Sequence, residues 1–375
     1  MAFKYGLVGI GNISGVHFDA IEKLGGEVIG VSDIRYERAQ KKAKEIGCQA
    51  YQDYRRMVEQ EGLDIVVVLT PHYFHPEISK SALQHGCHVL CEKPISVSKG
   101  ESHDLLNVVD ESDKIMGVNC MLRFRPDIQA IKEIIESDVL GTLRAAHFVS
   151  NNWLRSTAYY DEGEWRGTWG EEGGGLLTNQ SPHDLDKIIH FFGSPYIVKA
   201  FAGTSSFHPN LAVEDYADAL FLYDNNFRVY FSAATHLHPG VERLEIWGEK
   251  GYCRLENNSI KTGLLQQPLC EWNEQNTDMW GTPDVEWSQK WYDIPDFDEL
   301  HKMSHQNLIQ AIEGKEAIRT DAHEAVKSVE LANAIILSAY RDKKITLPID
   351  EAEYREFLGE MVELERVKFS QKDKQ

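Results

Sequence analysis

Strict alternation of short β-rich runs with amphipathic helices, from residue 3 to about residue 118, narrows the fold more than any other feature of this chain. Phe3–Ile10 predicts a strand, and Ser14–Leu24 predicts a helix with Val16, Ala20, Ile21 and Leu24 on one face. Glu27–Ser32 and Tyr36–Ile46 repeat the pair. Asp64–Thr70 carries Ile65, Val66, Val67, Val68 and Leu69 without a break, which suits a strand buried on both faces. Phe74–His85 reads as a helix, His88–Cys91 as a strand, Ser98–Asp110 as a helix and Lys114–Val118 as the last strand of this half. Such alternation requires right-handed crossovers and so predicts a doubly wound parallel sheet.

The pattern changes after Pro126. A helix over Asp127–Glu136 leads into β-rich runs at Arg144–Asn151, Tyr196–Gly203, Tyr216–Tyr223, Phe227–Ala234, Arg243–Trp247 and Tyr252–Leu255. Asp224-Asn225-Asn226 supplies a hairpin turn between two of them. Strands in succession favour an antiparallel or mixed sheet. Helices at Ser304–Glu313 and Asp321–Tyr340 close the chain, and the charged residues past Glu351 are expected to end in a frayed terminus. The division is placed near 120–126, giving units of 1–123 and 124–375.

With 375 residues, 42% hydrophobic and 26% charged, the chain has enough apolar material for two globular domains. A formal charge of −20 argues against nucleic acid or an anionic membrane as partner. No apolar run approaches the ~18 residues of a membrane span, and no basic-then-apolar leader precedes the first strand, so a cytoplasmic location is expected. The six cysteines read as reduced core thiols, and the histidine pair His72 and His75 lacks a third metal ligand, so no metal is expected.

Gly9-Ile10-Gly11-Asn12-Ile13-Ser14 lies between the first strand and first helix, where small residues let backbone N–H groups approach a pyrophosphate. Ser14 takes the third glycine's place. Asp33 ends the second strand ~20 residues on, where a carboxylate accepts from ribose hydroxyls. An acid there favours NAD, while Arg35 and Arg38 leave NADP open. Cys91-Glu92-Lys93-Pro94 follows the strand His88–Cys91 at the edge where open α/β sheets bind ligands. A lysine beside a positive charge has a lowered pKa and can take an alcohol's proton. Pro94 would fix the corner, a cis bond being one way to do so.

Four segments together resemble the Gfo/Idh/MocA oxidoreductases: Gly9–Ser14 with Asp33, Thr70-Pro71-His72 with His75, Glu92-Lys93-Pro94, and Gly173-Gly174-Gly175 followed by Asn179, His183 and Asp186. The stretch from Ser304 to Asp350 is similar to that family's closing helices and strand. The resemblance implies an N-terminal Rossmann domain, a second α/β domain with an open-faced, mostly antiparallel sheet, and a homodimer or homotetramer. It implies a cofactor channel lined by Gly9, Gly11, Asn12, Ile13, Asp33, Arg38, Thr70, Pro71, His72, His75, Glu92 and Lys93. It also implies that His183 contacts the reacting hydroxyl with Lys93 as acid/base, and that Asn179 orients the substrate. Met121 stands where many relatives carry an amide.

The aromatic segment Trp153-Leu154-Arg155 through Tyr159, Tyr160, Trp165, Arg166 and Trp169 reads equally as a substrate cap or an oligomer contact. Arg123, Trp153, Tyr160, Arg166, Trp169, Asn179, His183 and His236 are therefore the candidate substrate contacts. The expected activity is NAD(P)-dependent oxidation of a secondary alcohol on a sugar, sugar derivative or cyclitol. A non-catalytic NAD-sensing regulator and an NAD-assisted glycosidase are the alternatives.

Overall fold

The computed structural model describes residues 2–60, 62–163 and 165–372. Six parallel strands form the first sheet: β1 (Lys4–Val8), β2 (Glu27–Ser32), β3 (Gln49–Tyr51), β4 (Ile65–Val68), β5 (His88–Cys91) and β6 (Met116–Val118). Their order is β3-β2-β1-β4-β5-β6, so the chain reverses direction across the sheet between β1 and β4. A crevice opens there at the carboxyl ends of the strands. All four residues of β4 are buried, as a strand covered on both faces must be.

The second sheet has nine strands: β7 (Leu143–Ser150), β8 (Ile197–Gly203), β9 (Tyr216–Leu222), β10 (Arg228–Ala234), β11 (Glu242–Gly248), β12 (Gly251–Glu256), β13 (Ser259–Leu265), β14 (Val285–Trp291) and β15 (Ile345–Thr346). They run in the order β14-β13-β12-β11-β7-β10-β9-β8-β15. Only the β7–β10 pair is parallel, and β9 and β10 form the hairpin expected at Asp224–Asn226. One face packs against the helices Pro182–Phe192 and Ala322–Tyr340, while the other exposes Tyr230 and Trp287.

Sequence order and spatial grouping part company near the end of the chain. The Phe297–Ile312 helix returns to lie on the Ser14–Lys23 helix, and its Leu308 enters the core around Tyr5, Leu7 and Ile65. Ala322, Ala325, Val326 and Val329 join the first sheet's other core, while Leu331 to Leu337 of the same helix join the second sheet's core. The Val118 N–H donates to the Thr320 carbonyl at 2.9 Å, tying β6 to the start of that helix. One helix thus holds both sheets in fixed relation.

Several elements differ from the sequence reading. β3 and the Tyr54–Gln60 helix are too short to show a period, and β14 is exposed along its whole length, so burial left no alternating pattern in it. β13 and the Leu269–Gln275 helix were likewise not foreseen. Beyond Glu351, where the sequence reading named charged residues and assigned no element, the chain forms a long helix, Glu351–Lys372. Residues 373–375, where fraying was expected, lie outside the described residues. Tyr354 and Phe357 bury one face of that helix, and Glu365 accepts from the backbone N–H groups of Trp169 and Gly170 at 3.0 Å each.

Trp169 is accordingly a core residue and does not meet the substrate. It is fully buried, packs edge-on to Tyr340 and Phe357, and donates from Nε1 to the Ala212 carbonyl at 2.9 Å. Trp169→Ala should cost roughly 3–5 kcal/mol of stability. Denaturant unfolding checks this, and an unchanged midpoint would contradict the assignment.

Candidate active site

A cavity of about 1440 Å³ runs along the carboxyl ends of β1, β2, β4 and β5 and under the second sheet's loops. Its lining includes Gly9, Gly11, Asn12, Ile13, Asp33, Arg38, Thr70, Pro71, His72, His75, Glu92 and Lys93, and also Trp153, Arg166, Asn179 and His183. A second hollow of about 510 Å³, beside Tyr196, Tyr223 and Pro348, is lined by none of the candidate cofactor or substrate contacts.

At the β1 turn, Gly9 adopts φ +95°, and a Cβ there would lie 2.8 Å from the Leu69 backbone. Gly11 differs, since a Cβ on it would meet nothing within 4 Å and would project into open space. Ser14 fits the third glycine's place because its hydroxyl folds back to donate to the Gly11 carbonyl at 2.7 Å. Asp33 is oriented by two backbone donors, Ile10 N–H to Oδ2 and Arg35 N–H to Oδ1, both at 2.8 Å. A bare glycine turn, a fixed carboxylate at the next strand end and a long cavity between them fit a dinucleotide.

The chemical end of the cavity lies at β5. Glu92 is buried, and its Oε1 accepts from His17 Nε2 at 3.1 Å and from the Asn119 amide, while Oε2 accepts from the Lys93 N–H at 3.2 Å. Burial alone would raise its pKa, but the hydrogen bond and charge of His17, with His301 and Lys93, hold it well below the usual carboxylate range. On its other side the His17 ring places Nδ1 2.9 Å from His305 Nε2, which extends the network to the Phe297–Ile312 helix. His17, Glu92 and His301 are the one group among the described residues close enough to share a metal ion, with ligand atoms within 4.8 Å. Two of the three are already joined by a hydrogen bond.

Lys93 donates from Nζ to the Asn179 carbonyl at 2.7 Å, and the Lys93–Pro94 peptide is cis. Burial lowers the Lys93 pKa, opposed by the charges of Glu92 and Glu172. His183, in the first turn of the Pro182–Phe192 helix, stacks on Trp153 with centroids 6.0 Å apart. Burial and then the nearby Lys93 push its pKa well down, so the ring is neutral, and its buried Nδ1 has no protein partner. Trp153 is fixed in turn by donating to Asp184 at 3.0 Å.

Other expected contacts resolve differently. His75 reaches the cavity wall, but its ring nitrogens face the carbonyls of Pro94 and Thr70 at 2.7 Å each, so it braces two strand ends. Arg123 is buried outside the cavity, where it forks onto Asp186 (Nη2–Oδ1 2.7 Å) and donates to the Arg319 carbonyl. Tyr160 is buried against His208, with its hydroxyl 3.3 Å from Thr235. His236 lies outside the cavity, 3.6 Å from Asp215. Arg123, Tyr160 and His236 therefore do not line the cavity, and the Asp186 carboxylate on Arg123 and the Thr235 hydroxyl beside Tyr160 are partners that sequence does not reveal.

Sequence reasoning passed over Glu172 and His301, and it named Tyr159 in the aromatic segment without placing it among the candidate contacts. Glu172 is buried beside the triple glycine, accepts from the Asn179 amide, and accepts from the Gly167 N–H at 2.6 Å. Burial pushes its carboxyl up to about 7. The one available signal was an acid abutting glycines that permit close packing, since a Cβ on Gly173 would lie 2.1 Å from Val97. His301 was hidden by a helix start placed at Ser304, seven residues late.

A Rossmann sheet joined to an open-faced sheet, with a lysine at the β5 edge facing a helix-borne histidine, defines a two-domain dinucleotide-dependent enzyme class. Residues 3–120 match the profile of the oxidoreductase family with an NAD-binding Rossmann fold, and residues 128–254 match the GFO/IDH/MocA C-terminal domain. The chain belongs to the Gfo/Idh/MocA family and is an NAD-dependent oxidoreductase. It is 26% identical over 257 residues to a 2,7-anhydro-N-acetylneuraminate hydratase of Mediterraneibacter gnavus, covering 67% of each chain. It is 21% identical over 276 residues to the myo-inositol 2-dehydrogenase of Thermotoga maritima, covering 70% of this chain and 78% of that one. Among solved structures, the WlbA dehydrogenase of Chromobacterium violaceum, in complex with NADH and UDP-GlcNAcA, superposes with a TM-score of 0.79 at 26% identity, covering 93% of this chain and 97% of that one.

The two turn glycines should separate by variant. Gly9→Ala should lower stability by roughly 1–3 kcal/mol through backbone strain, whereas Gly11→Ala should leave the melting temperature unchanged and weaken NADH binding about tenfold. Thermal melts beside NADH titrations check both. Glu172 gives a pH signature. Its carboxyl is raised in the fold, so the unfolded chain loses that proton first and stability falls as pH climbs from the ordinary carboxylate value toward about 7. Relative to wild type, Glu172→Gln should gain roughly 3 kcal/mol between about pH 5 and pH 8. A pH-independent difference in unfolding free energy would refute this.

Proposed function

We propose that the protein oxidises a secondary alcohol of a sugar, sugar derivative or cyclitol. The carrying observation is the convergence of Lys93, Asn179 and His183 on one end of the cavity whose other end is the Gly9–Asp33 turn. Bound NAD supplies the acceptor for the two electrons of the carbinol C–H bond. Lys93, its ammonium destabilised by burial, takes the hydroxyl proton at Nζ. His183, neutral and without a protein partner at Nδ1, offers a hydrogen bond to the same hydroxyl. With its side-chain Nδ2 turned to Glu172 and its backbone carbonyl taken by Lys93, Asn179 keeps its side-chain Oδ1 as an acceptor for a substrate hydroxyl. Trp153, stacked on His183, supplies an apolar face for a sugar ring.

Relatives named for inositol, D-glucoside and glucose-6-phosphate oxidation, and a structural neighbour holding a nucleotide sugar, support a carbohydrate substrate. A second reading is turnover without net reduction, as in an NAD-assisted glycosidase, and the relative named a hydratase favours keeping it. A pure NAD sensor would have no use for a half-buried lysine beside a neutral histidine in the same cavity. The half-exposed stripe of Tyr230, His147, Trp247, Tyr252 and Trp287 across the second sheet supports a homodimer or homotetramer built on that face. No helix of the described residues is long and apolar enough to cross a membrane.

Incubation with NAD and a sugar and polyol panel tests the reading: accumulating NADH supports net oxidation, and product release without NADH supports the second reading. Lys93→Met should lower kcat by at least about a thousandfold while retaining NADH binding. Unimpaired turnover by that variant would remove Lys93 from the chemistry.

A further inference from the structure

We propose that the substrate end of the cavity is an oxyanion site, in which Arg155 and Arg166 receive a carboxylate or phosphate carried by the sugar. The inference rests on the dehydrogenase reading for its assumption that the ligand is a sugar, and it adds the charge that the sugar carries.

Both guanidinium groups lie on Tyr159, with Arg155 4.9 Å and Arg166 4.4 Å from the ring centroid. Arg155 also lies 5.8 Å from the Trp153 ring, and Arg166 4.6 Å from the Trp165 ring. The Tyr159 hydroxyl accepts from Arg166 Nη1 at 2.5 Å and from Gln180 Nε2 at 3.0 Å. One aromatic ring therefore gathers two like charges. Among the described residues neither arginine has a carboxylate within 4.0 Å, although the chain has a formal charge of −20 and pairs most of its buried cations. Arg155 Nη1 donates to the Leu154 carbonyl at 3.1 Å, while its buried Nε has no hydrogen-bond partner among the described residues.

Among the described residues, the nearby acids are turned elsewhere. Glu162 accepts from the Asn12 amide at 2.8 Å, and Glu172 faces Asn179 and the Gly167 N–H. Glu171 stands exposed at the rim. Meanwhile the backbone under Arg155 is fixed from both sides. Its N–H donates to the Thr235 carbonyl at 2.9 Å, and its carbonyl lies 3.0 Å from His208 Nε2, whose Nδ1 meets Asp215 at 2.7 Å. Two unpaired, pre-positioned guanidinium groups are the arrangement that recognises a planar or tetrahedral oxyanion. Trp153 packs against both Arg155 and His183, and all three line the same cavity, so the anionic group would sit on the His183 side of the cleft.

The test titrates the NADH-loaded full chain with D-glucose, D-glucuronate and D-glucose 6-phosphate by calorimetry. At least one anion should bind about tenfold or more tighter than glucose. Preference for glucuronate marks a carboxylate site and preference for glucose 6-phosphate a phosphate site. Arg155→Gln and Arg166→Gln should each reduce the preference and their combination should abolish it, while Arg166→Lys should retain part. Equal affinities, no binding of either anion at millimolar concentration, or a preference that survives both single variants would overturn the proposal. Failure of the dehydrogenase reading shows separately, as an absence of turnover across the sugar and polyol panel whatever these affinities are.

Discussion

A buried carboxylate beside a half-buried lysine is the constraint around which this molecule is arranged. Charges removed from water are tolerated only when hydrogen bonds and opposite charge replace the lost hydration. Glu92 obtains that replacement from three directions: His17 on the first helix, Asn119 just past β6, and the Lys93 N–H at the end of β5. His301, on the returning Phe297–Ile312 helix, adds its ring 3.9 Å away. The network thereby draws three separate segments to the point where β5 ends. Because Glu92 remains ionised, it partly offsets the burial of Lys93, so the lysine's pKa is lowered without being abolished as a proton carrier.

The second sheet's contribution is steric and polar rather than charged. Triple glycine lets the backbone at Gly173 approach Val97 closely, which brings Glu172, Asn179 and the start of the histidine-bearing helix against the lysine corner. Contacts from His72 to the Glu172 carbonyl and from Tyr73 to the Trp169 carbonyl fasten the two sheets at the same place. The cavity is thus a product of packing between units, and its two halves answer to different physics. The dinucleotide half needs backbone without side chains; the substrate half needs side chains held in fixed rotamers by rings and by buried acids.

Much of the cofactor half was legible because its requirements are local. A glycine that must hold φ +95°, a carboxylate at a strand end and a Lys-Pro corner after an apolar strand are each written within a few adjacent residues. The same locality explains why the strands with strong periods were found and why β3 and β14 were not. The substrate half was legible only in part. Trp153 and Arg166 do face the cavity, yet Trp169, from the same run of aromatics, is the anchor of a second core.

What the sequence alone determined is therefore the doubly wound sheet, its nucleotide turn and the chemical identity of the lysine, asparagine and histidine, because short-range geometry dictates each. Tertiary structure alone decided which arginines are free and which are tied. Arg123 and Arg166 look alike in sequence, but Asp186, distant in the chain, takes the first, while the second is left on an aromatic ring inside the cleft. It also decided that Glu172 would be buried and that His301 would meet Glu92, since both depend on where distant segments come to rest. Long-range pairing of charge is settled by burial, and burial is a property of the folded whole.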